Sequence, residues 1–483
     1  MYNIRDYVTK KTKFTSINRQ EQHDSVIDIK NMAGSQIHKN EVFFFFFILI
    51  CHTIVSACPK LGWSRKAATE AEGVAIIYCS GHGQAYIDGD IVDGKPSCEC
   101  NTCYGGDDCS IFFSNCTANA ESGDPLFLKP YWEKHAADSA VVVAGWHRMS
   151  YSTTGKNYIT TELERHIRML HRAVGNAVTD DKFIVFGAGS TQLLYALVHA
   201  LAGSLNTSSP DSVVASVPYY APYREQTEYF DSKLAEWRGV TSEWVNASKG
   251  STNNFIEFVT SPNNPDGVLK KALLNGSLTI NDHAYYWPHF TAISEPVDED
   301  VMLFTTSKLT GHAGSRFGWA LIKDENVYNR TLRYMELNTE GTSRETQLRM
   351  LKLYKVILAK LGGGKGDIFT FGYKTMRKRW IKLNQVVSLS KLFSLQKLPT
   401  SQYCNYFNTT RHPSPAYGWL KCEMEEDEDC DAVLRAGGIS GRSGTIYSDD
   451  KKHVRVSLIK SQDDFDQLIT KLTALVTHTK TTA

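Results

Sequence analysis
Short apolar runs alternate with longer amphipathic stretches from about residue 140 onward. Ala140–Ala144, Phe183–Phe186, Val213–Val217, Phe255–Thr260, Leu278–Ile280 and Val301–Thr305 read as strands. Leu163, Ile167, Leu170 and Val174 recur at helical spacing, so Thr161–Gly175 is expected to be a helix. Gln192–Leu201 reads as another helix, and Arg344–Leu358 as a connecting helix to a C-terminal part from about Phe369 to Leu475. Strands separated by helices imply an α/β fold with a mostly parallel or mixed sheet. Ligands of such sheets collect at the carboxyl ends of the strands. Polar clusters follow the runs there: Gly187 to Thr191, Pro218 to Tyr220, Ser261 to Gly267, Asp282 and Lys308. They are expected to converge on one site.

The start of the chain has a different pattern. Val42–Ile50 is apolar and contains five consecutive phenylalanines, Phe43 to Phe47. It is too short to span a bilayer as a helix, which takes about 20 apolar residues. It fits the apolar region of a secretory signal peptide, with small residues at Val55-Ser-Ala57 for cleavage before Cys58. A buried core helix is the alternative. The 41 residues ahead of the run are unusual for such a leader. A start at Met32 would leave Ala33–Glu41, with Lys39 as its positive charge.

Cysteine usage agrees with export. Six of the 11 cysteines are Cys79, Cys98, Cys100, Cys103, Cys109 and Cys116, in a segment rich in Gly and Asp. So short a segment cannot bury enough apolar surface alone, and three disulfides would supply the missing stability. Spacing leaves their connectivity open. Zinc at Cys100-Asn-Thr-Cys103 is the rival, disfavoured behind an export leader, and no metal is expected. Cys422 and Cys430 flank the acidic run Glu423–Asp429, which reads as a solvated loop closed by a fourth disulfide. Cys404 is expected to be a buried free thiol. Asn-x-Ser/Thr triplets stand at Asn115, Asn206, Asn246, Asn275, Asn329 and Asn408. Glycans are expected among the last five; Asn115 is set aside because Cys116 is its middle residue.

Composition narrows the class. The 483 residues allow two or three domains, and 42% apolar with 22% charged residues is ordinary for a globular chain. Lys plus Arg total 53 and Asp plus Glu 52. A chain so nearly neutral has no whole-molecule basic field, so nucleic acid is not expected as a partner.

The chemistry centres on Lys308. Thr305 and Ser307 flank it, Gly311 and Gly314 follow, and Arg316 stands eight residues on. A lysine for an imine, hydroxyls and a bidentate arginine for a phosphate are what pyridoxal phosphate needs. The Gly187–Thr191 turn before a helix adds backbone N–H groups for the phosphate. Asp282 would keep the pyridine nitrogen protonated, Tyr285 and Asn264 would reach the ring hydroxyl, and Tyr220 would stack on the ring. Without the lysine motif, Asn264 reads as a turn residue and Tyr220 as a core aromatic.

Ser307-Lys-x-x-Gly-x-x-Gly-x-Arg-x-Gly-Trp319 resembles the fold-type-I pyridoxal phosphate enzymes, the aspartate aminotransferase superfamily. Within them the chain resembles the alliinase and tryptophan aminotransferase-related family. Cys98-Glu-Cys-Asn-Thr-Cys103, Ser122-Gly-Asp124, Trp146–Tyr151, Val259–Pro265, Tyr285–His289 and Asn338–Gly341 carry that resemblance. It implies disulfides Cys79–Cys98, Cys100–Cys109, Cys103–Cys116 and Cys422–Cys430, with the first three in an EGF-like module. It implies Lys308 as the imine-forming lysine and Asp282 on the pyridine nitrogen. Asn264 and Tyr285 would contact the ring oxygen, and Thr305, Ser307, Arg316, Ser190 and Thr191 the phosphate. Tyr151 would reach the phosphate of the other subunit, making a homodimer. Arg455 would bind the substrate α-carboxylate, and Ser122 and Gly123 would approach the substrate.

The expected organisation is a leader over 1–57, the EGF-like module over 58–120, a large cofactor-binding α/β domain over 121–355 and a small α/β domain over 356–483. No stable membrane span is expected, and the destination is the secretory pathway and, from the resemblance, the vacuole. The expected activity is β-elimination of S-alk(en)yl-L-cysteine sulfoxides to a sulfenic acid, pyruvate and ammonia. The alternative is transamination of tryptophan or another aromatic amino acid. Glu340 and the Cys422–Cys430 loop look like alliinase, whereas Ile439–Gly444 and Lys451–Arg455 look closer to the aminotransferases. An inactive EGF-like binding protein is a third class, against which Lys308, Asp282 and Arg316 argue.

Overall fold
The computed structural model describes residues 62–152, 157–202, 210–246, 254–362 and 366–478. The leader Val42–Ala57, the start at Met32 and the Asn206 triplet lie outside them. Trp63–Ala483 forms one unit. Among the described residues no helix is long and apolar enough to cross a membrane.

The N-terminal part begins with the helix Trp63–Ala75, which buries none of its residues. Three small antiparallel ladders follow: Gly83–Ala85 with Cys98–Cys100, Ile91–Val92 with Lys95–Pro96, and Tyr104–Gly105 with Ile111–Phe112. Their buried apolar cluster is only Cys79, Ala85 and Cys109. Such a core cannot hold a fold by itself, so cross-links carry the stability. The bridges are Cys79–Cys98, Cys100–Cys109 and Cys103–Cys116, the pairs that the resemblance implies. A fourth joins Cys422 to Cys430, and Cys404 is buried and free. Four disulfides fit a protein of an oxidising, secretory environment. Side-chain bonds tie this part to the rest. Asp463 accepts from His82 Nδ1 at 3.0 Å and Asn101 Nδ2 at 2.7 Å, and Lys129 Nζ donates to the Gly83 carbonyl at 2.8 Å.

The central sheet has seven strands. In chain order they are β1 (Phe183–Gly187), β2 (Asp211–Ala215), β3 (Ala235–Val240), β4 (Phe255–Thr260), β5 (Leu278–Asp282), β6 (Val301–Thr305) and β7 (Gly318–Ile322). The spatial order is β3-β2-β4-β5-β6-β7-β1. Only β7 runs against the others, paired antiparallel with β6 and β1. Strands β2, β4, β6 and β7 are buried along their whole length, as expected of a sheet covered on both faces. The helices nearest the site are α1 (Thr161–Val174), α2 (Ser190–Ala202), α3 (Pro222–Tyr229) and α4 (Thr306–Leu309). Leu163, Ile167, Leu170 and Val174 of α1 are all buried, so its apolar stripe is the face that packs. Two longer helices follow β7: α5 (Glu325–Thr339) and α6 (Arg344–Lys360).

Helix α7 (Ile368–Val387) leads to a second, four-stranded sheet. Its strands are β8 (Phe393–Leu395), β9 (Tyr417–Cys422), β10 (Arg442–Ser443) and β11 (His453–Ser457), in the order β8-β9-β11-β10. All its pairings are antiparallel. Helix α8 (Gln462–His478) packs against α7.

One expected strand is absent. Ala140–Ala144 belongs to no sheet, and Val142 and Val143 are 40% and 45% exposed. An apolar run becomes a strand only where an edge accepts its hydrogen bonds, and this one is paired with none. It continues into Trp146, Met149 and Tyr151, which are exposed too. Two strands of the central sheet went unread. The edge strand β3 is mostly half-exposed and carries Glu236 and Arg238; β7 follows the lysine motif so closely that it reads as part of it.

Candidate active site
The carboxyl ends of β1, β4, β5 and β6 meet the inner edge of the second sheet, and the polar clusters gather there. Lys308 lies in α4, a single turn immediately after β6. Thr305 caps that turn, its hydroxyl accepting from the Ser307 N–H at 3.2 Å. His289 Nε2 donates to the Lys308 carbonyl at 3.1 Å. Lys308 Nζ donates to the Gly123 carbonyl at 2.5 Å. A Cβ on Gly123 would come within 2.9 Å of Tyr417 Oη and 3.3 Å of Nζ, so a side chain there would crowd the lysine.

Asp282 ends β5 and is 4% exposed. Its carboxylate accepts from Tyr223 Oη at 2.8 Å and from the Ala284 N–H at 3.0 Å. Tyr223 Oη also lies 2.7 Å from Thr260 Oγ1. Burial pushes the Asp282 carboxyl up, and these donors offset only part of that. A cationic partner at this place would restore the anion.

The Gly187–Thr191 turn opens α2. Gly189 has φ +78°, and a Cβ on it would fall 2.3 Å from Arg316 Nη2. Only glycine lets the turn approach the guanidinium so closely. Arg316 is held by the Ala313 carbonyl at 2.9 Å. Ser190, Thr191, Thr305 and Ser307 line the same end of the cavity.

Arg455 lies on β11, opposite Trp419 of β9 and Arg442 of β10. It is 2% exposed. Nη1 donates to Asn264 Oδ1 at 3.1 Å and Nη2 to the Glu121 carbonyl at 2.5 Å. The Tyr417 ring lies 4.0 Å from its Cζ. Its Nε is buried without a partner, and among the described residues no carboxylate pairs with it. A buried guanidinium without a counter-ion calls for an anion.

These groups surround one cavity of about 210 Å³, which Tyr220, Tyr285, Asn264 and Gly123 also line. Two expected residues stand apart. Ser122 is half-buried, gives its hydroxyl proton to the Asp124 carboxylate and is not in the cavity lining, while Asp124 is. Tyr151 is 78% exposed and does not line its own chain's cavity. Its carbonyl is held by Arg344 Nη2 at 2.6 Å. Sequence reasoning missed Tyr223, Thr260, Tyr417 and Arg442, all in the lining. Tyr223 carried a weak signal, one helical turn beyond Tyr220. Tyr417, between Ala416 and Gly418, carried none.

The family described as Allinase matches residues 118–476, and the alliinase EGF-like domain matches 62–116. The alliin lyase of Allium cepa var. aggregatum is 53% identical over 424 residues, 86% of this chain and 94% of that one. Tryptophan aminotransferase-related protein 4 of Arabidopsis thaliana is 51% identical over 422 residues, 86% of this chain and 90% of that one. Among solved structures, the multiple substrate aminotransferase of Thermococcus profundus superposes with a TM-score of 0.55 at 14% identity, over 77% of this chain and 93% of that one. Thermus thermophilus aspartate aminotransferase with maleate gives 0.52 at 15% identity, over 85% and 96%. The fold is that of the aspartate aminotransferases, and with both of its characteristic regions present in order, the chain belongs to the alliinase family.

Proposed function
We propose that the chain is a pyridoxal phosphate-dependent carbon–sulfur lyase that cleaves S-alk(en)yl-L-cysteine sulfoxides to a sulfenic acid, pyruvate and ammonia. One observation carries the reading: Lys308, Asp282, Arg316 and Arg455, a buried guanidinium without a counter-ion, line one cavity. The residues fit the cofactor. Lys308 offers the amine, Asp282 a buried carboxylate for the ring nitrogen, and Tyr285 and Asn264 contacts for the ring oxygen. Tyr220 offers a stacking face. Arg316, Ser190, Thr191, Thr305 and Ser307 offer the phosphate a charge and four hydroxyls in the cradle that Gly189 leaves open. Bound there, the cofactor supplies an electron sink for the pair left on Cα.

The chain's own residues do the rest. Arg455 holds the α-carboxylate, as a planar, always-charged group can. That fixes Cα near Lys308 Nζ, which takes the Cα proton as general base. Asp282, held anionic by a protonated ring nitrogen, keeps that nitrogen charged. With a sulfoxide on Cβ the C–S bond breaks and a sulfenic acid departs. The remaining three-carbon fragment takes up water to give pyruvate and ammonia.

Alliin lyases of three Allium sources stand at 51–53% identity. Tryptophan aminotransferase-related proteins 4 and 3 stand at 51% and 50%. The second reading is therefore transamination of an aromatic amino acid in the same pocket. Purified protein given alliin should release pyruvate; given tryptophan plus an oxo acid, it should form no indole-3-pyruvate. The opposite pattern overturns the lyase reading in favour of the transaminase. We further place the protein in the secretory pathway and the vacuole, as a glycosylated homodimer. Asn246, Asn275, Asn329 and Asn408 are exposed and open to glycans. Protein purified from plant vacuoles should begin after Ala57 and lose mass on deglycosylation.

A further inference from the structure
Tyr417 opens β9, is 2% exposed and lines the cavity. Its hydroxyl lies 2.6 Å from that of Tyr285. The Arg455 guanidinium covers its ring at 4.0 Å. The space above Gly123 is within 2.9 Å of Tyr417 Oη and 3.3 Å of Lys308 Nζ, so the phenol and the amine face the same small volume.

Each hydroxyl of the Tyr285–Tyr417 pair carries one proton. If Tyr285 gives its proton to Tyr417, it has none left for a ring oxygen. If Tyr417 gives its proton to Tyr285, the Tyr285 proton is free to point into the cavity. The surrounding charge decides the direction. Around the pair stand Lys308 after β6, Arg442 of β10, Arg455 of β11, and the phenols Tyr220 and Tyr447. Burial pushes the Tyr417 phenol up, but the Lys308 ammonium and the Arg455 guanidinium outweigh it and hold the phenol below its ordinary value. Burial pushes the Tyr285 phenol well above. Tyr417 lies under the Arg455 guanidinium and its Oη faces the Lys308 nitrogen across the space above Gly123, so its lone pairs turn to those groups and its proton to Tyr285.

We propose that Tyr417 is a positioning residue: it donates to Tyr285 and so directs the Tyr285 hydroxyl proton at the ring oxygen of pyridoxal phosphate. This rests on the cofactor reading above and adds a residue to it. A donated hydrogen bond favours the anionic ring oxygen, so its loss raises the pH at which the cofactor's spectrum changes.

The test is an absorbance titration of the holoenzyme against pH, with Tyr417→Phe, Tyr285→Phe and the double variant. Tyr417→Phe removes one oxygen and keeps the ring on Arg455. Its spectral midpoint should rise by about one pH unit, and kcat should fall about tenfold with KM little changed. The double variant should match Tyr285→Phe, because Tyr417 acts through that hydroxyl. A midpoint unchanged in Tyr417→Phe, or shifts that add in the double variant, overturns the inference while leaving the cofactor reading intact. A wild-type protein that takes up no pyridoxal phosphate overturns both.

Discussion
At the scale of single residues, the two costliest groups are a buried cation and a buried anion. Arg455 keeps one N–H without a partner, and Asp282 sits in β5 with its carboxyl pushed up by burial. Each is unfavourable alone; in the proposed function the cofactor's ring nitrogen is the missing partner of Asp282 and the substrate carboxylate that of Arg455. Arg455→Ala should raise KM strongly while pyridoxal phosphate stays bound, at a cost of about 2–5 kcal/mol in transition-state binding. Arg455→Lys should recover little of it, because an ammonium cannot reproduce the fork. Normal kcat/KM in Arg455→Ala would move the carboxylate to another cation, with Arg442 on the neighbouring strand the first to try. Tyr223→Phe acts on the anion. It removes the 2.8 Å donor to Asp282, so the carboxyl should rise further and bind a protonated ring nitrogen less well. Cofactor affinity should fall about tenfold in a spectrophotometric titration of the apoprotein. Unchanged affinity would show that the Ala284 N–H holds the carboxylate unaided.

At the scale of elements, the ends of strands explain which parts of the site could be read from the sequence. Lys308, Asp282, Asn264 and the Gly187–Thr191 turn each follow an apolar run, where side chains leave the core and turn to a ligand. Arg455 was legible because Val454 and Val456 alternate with it. Tyr223 and Tyr417 were not, because a buried tyrosine looks like core until the partner of its hydroxyl is seen. Ala140–Ala144 failed the other way: its apolarity was real, but it found no edge. The turn before α2 gives an element-scale prediction. Gly189→Ala places a methyl 2.3 Å from Arg316 Nη2 at φ +78°, so either the backbone strains or the guanidinium leaves. The variant should fold yet lose cofactor on dialysis faster than wild type. The Cys422–Cys430 bridge predicts the reverse. It joins the end of β9 to the helix Cys430–Ala436, outside the cavity lining. Replacing both cysteines by Ala should cost about 2–3 kcal/mol of stability, seen as a lower Tm, with kcat little changed.

At the scale of the whole molecule, the exposed apolar strip Val142, Val143, Trp146, Met149 and Tyr151 is a large surface for water to meet. Its end is pinned, since Arg344 is buried and holds the carbonyls of Tyr151 and Tyr158. A pinned apolar strip suits burial against a second copy of the chain. In that arrangement Tyr151 would complete the phosphate site of the partner, which accounts for its absence from the lining of its own cavity. Two defective variants give the decisive measurement. Lys308→Ala should be inactive, and Tyr151→Ala should be weak and bind cofactor poorly. Mixed under conditions that exchange subunits, they form heterodimers. In these, one site combines the intact Lys308 of one chain with the intact Tyr151 of the other. Activity should then rise above the sum of the two separate variants, approaching one good site per heterodimer. If subunits exchange and no activity returns, Tyr151 serves its own chain or none, and the shared-site reading fails. If the protein runs as a monomer and is fully active, the strip belongs to some other contact, and the site is complete within one chain.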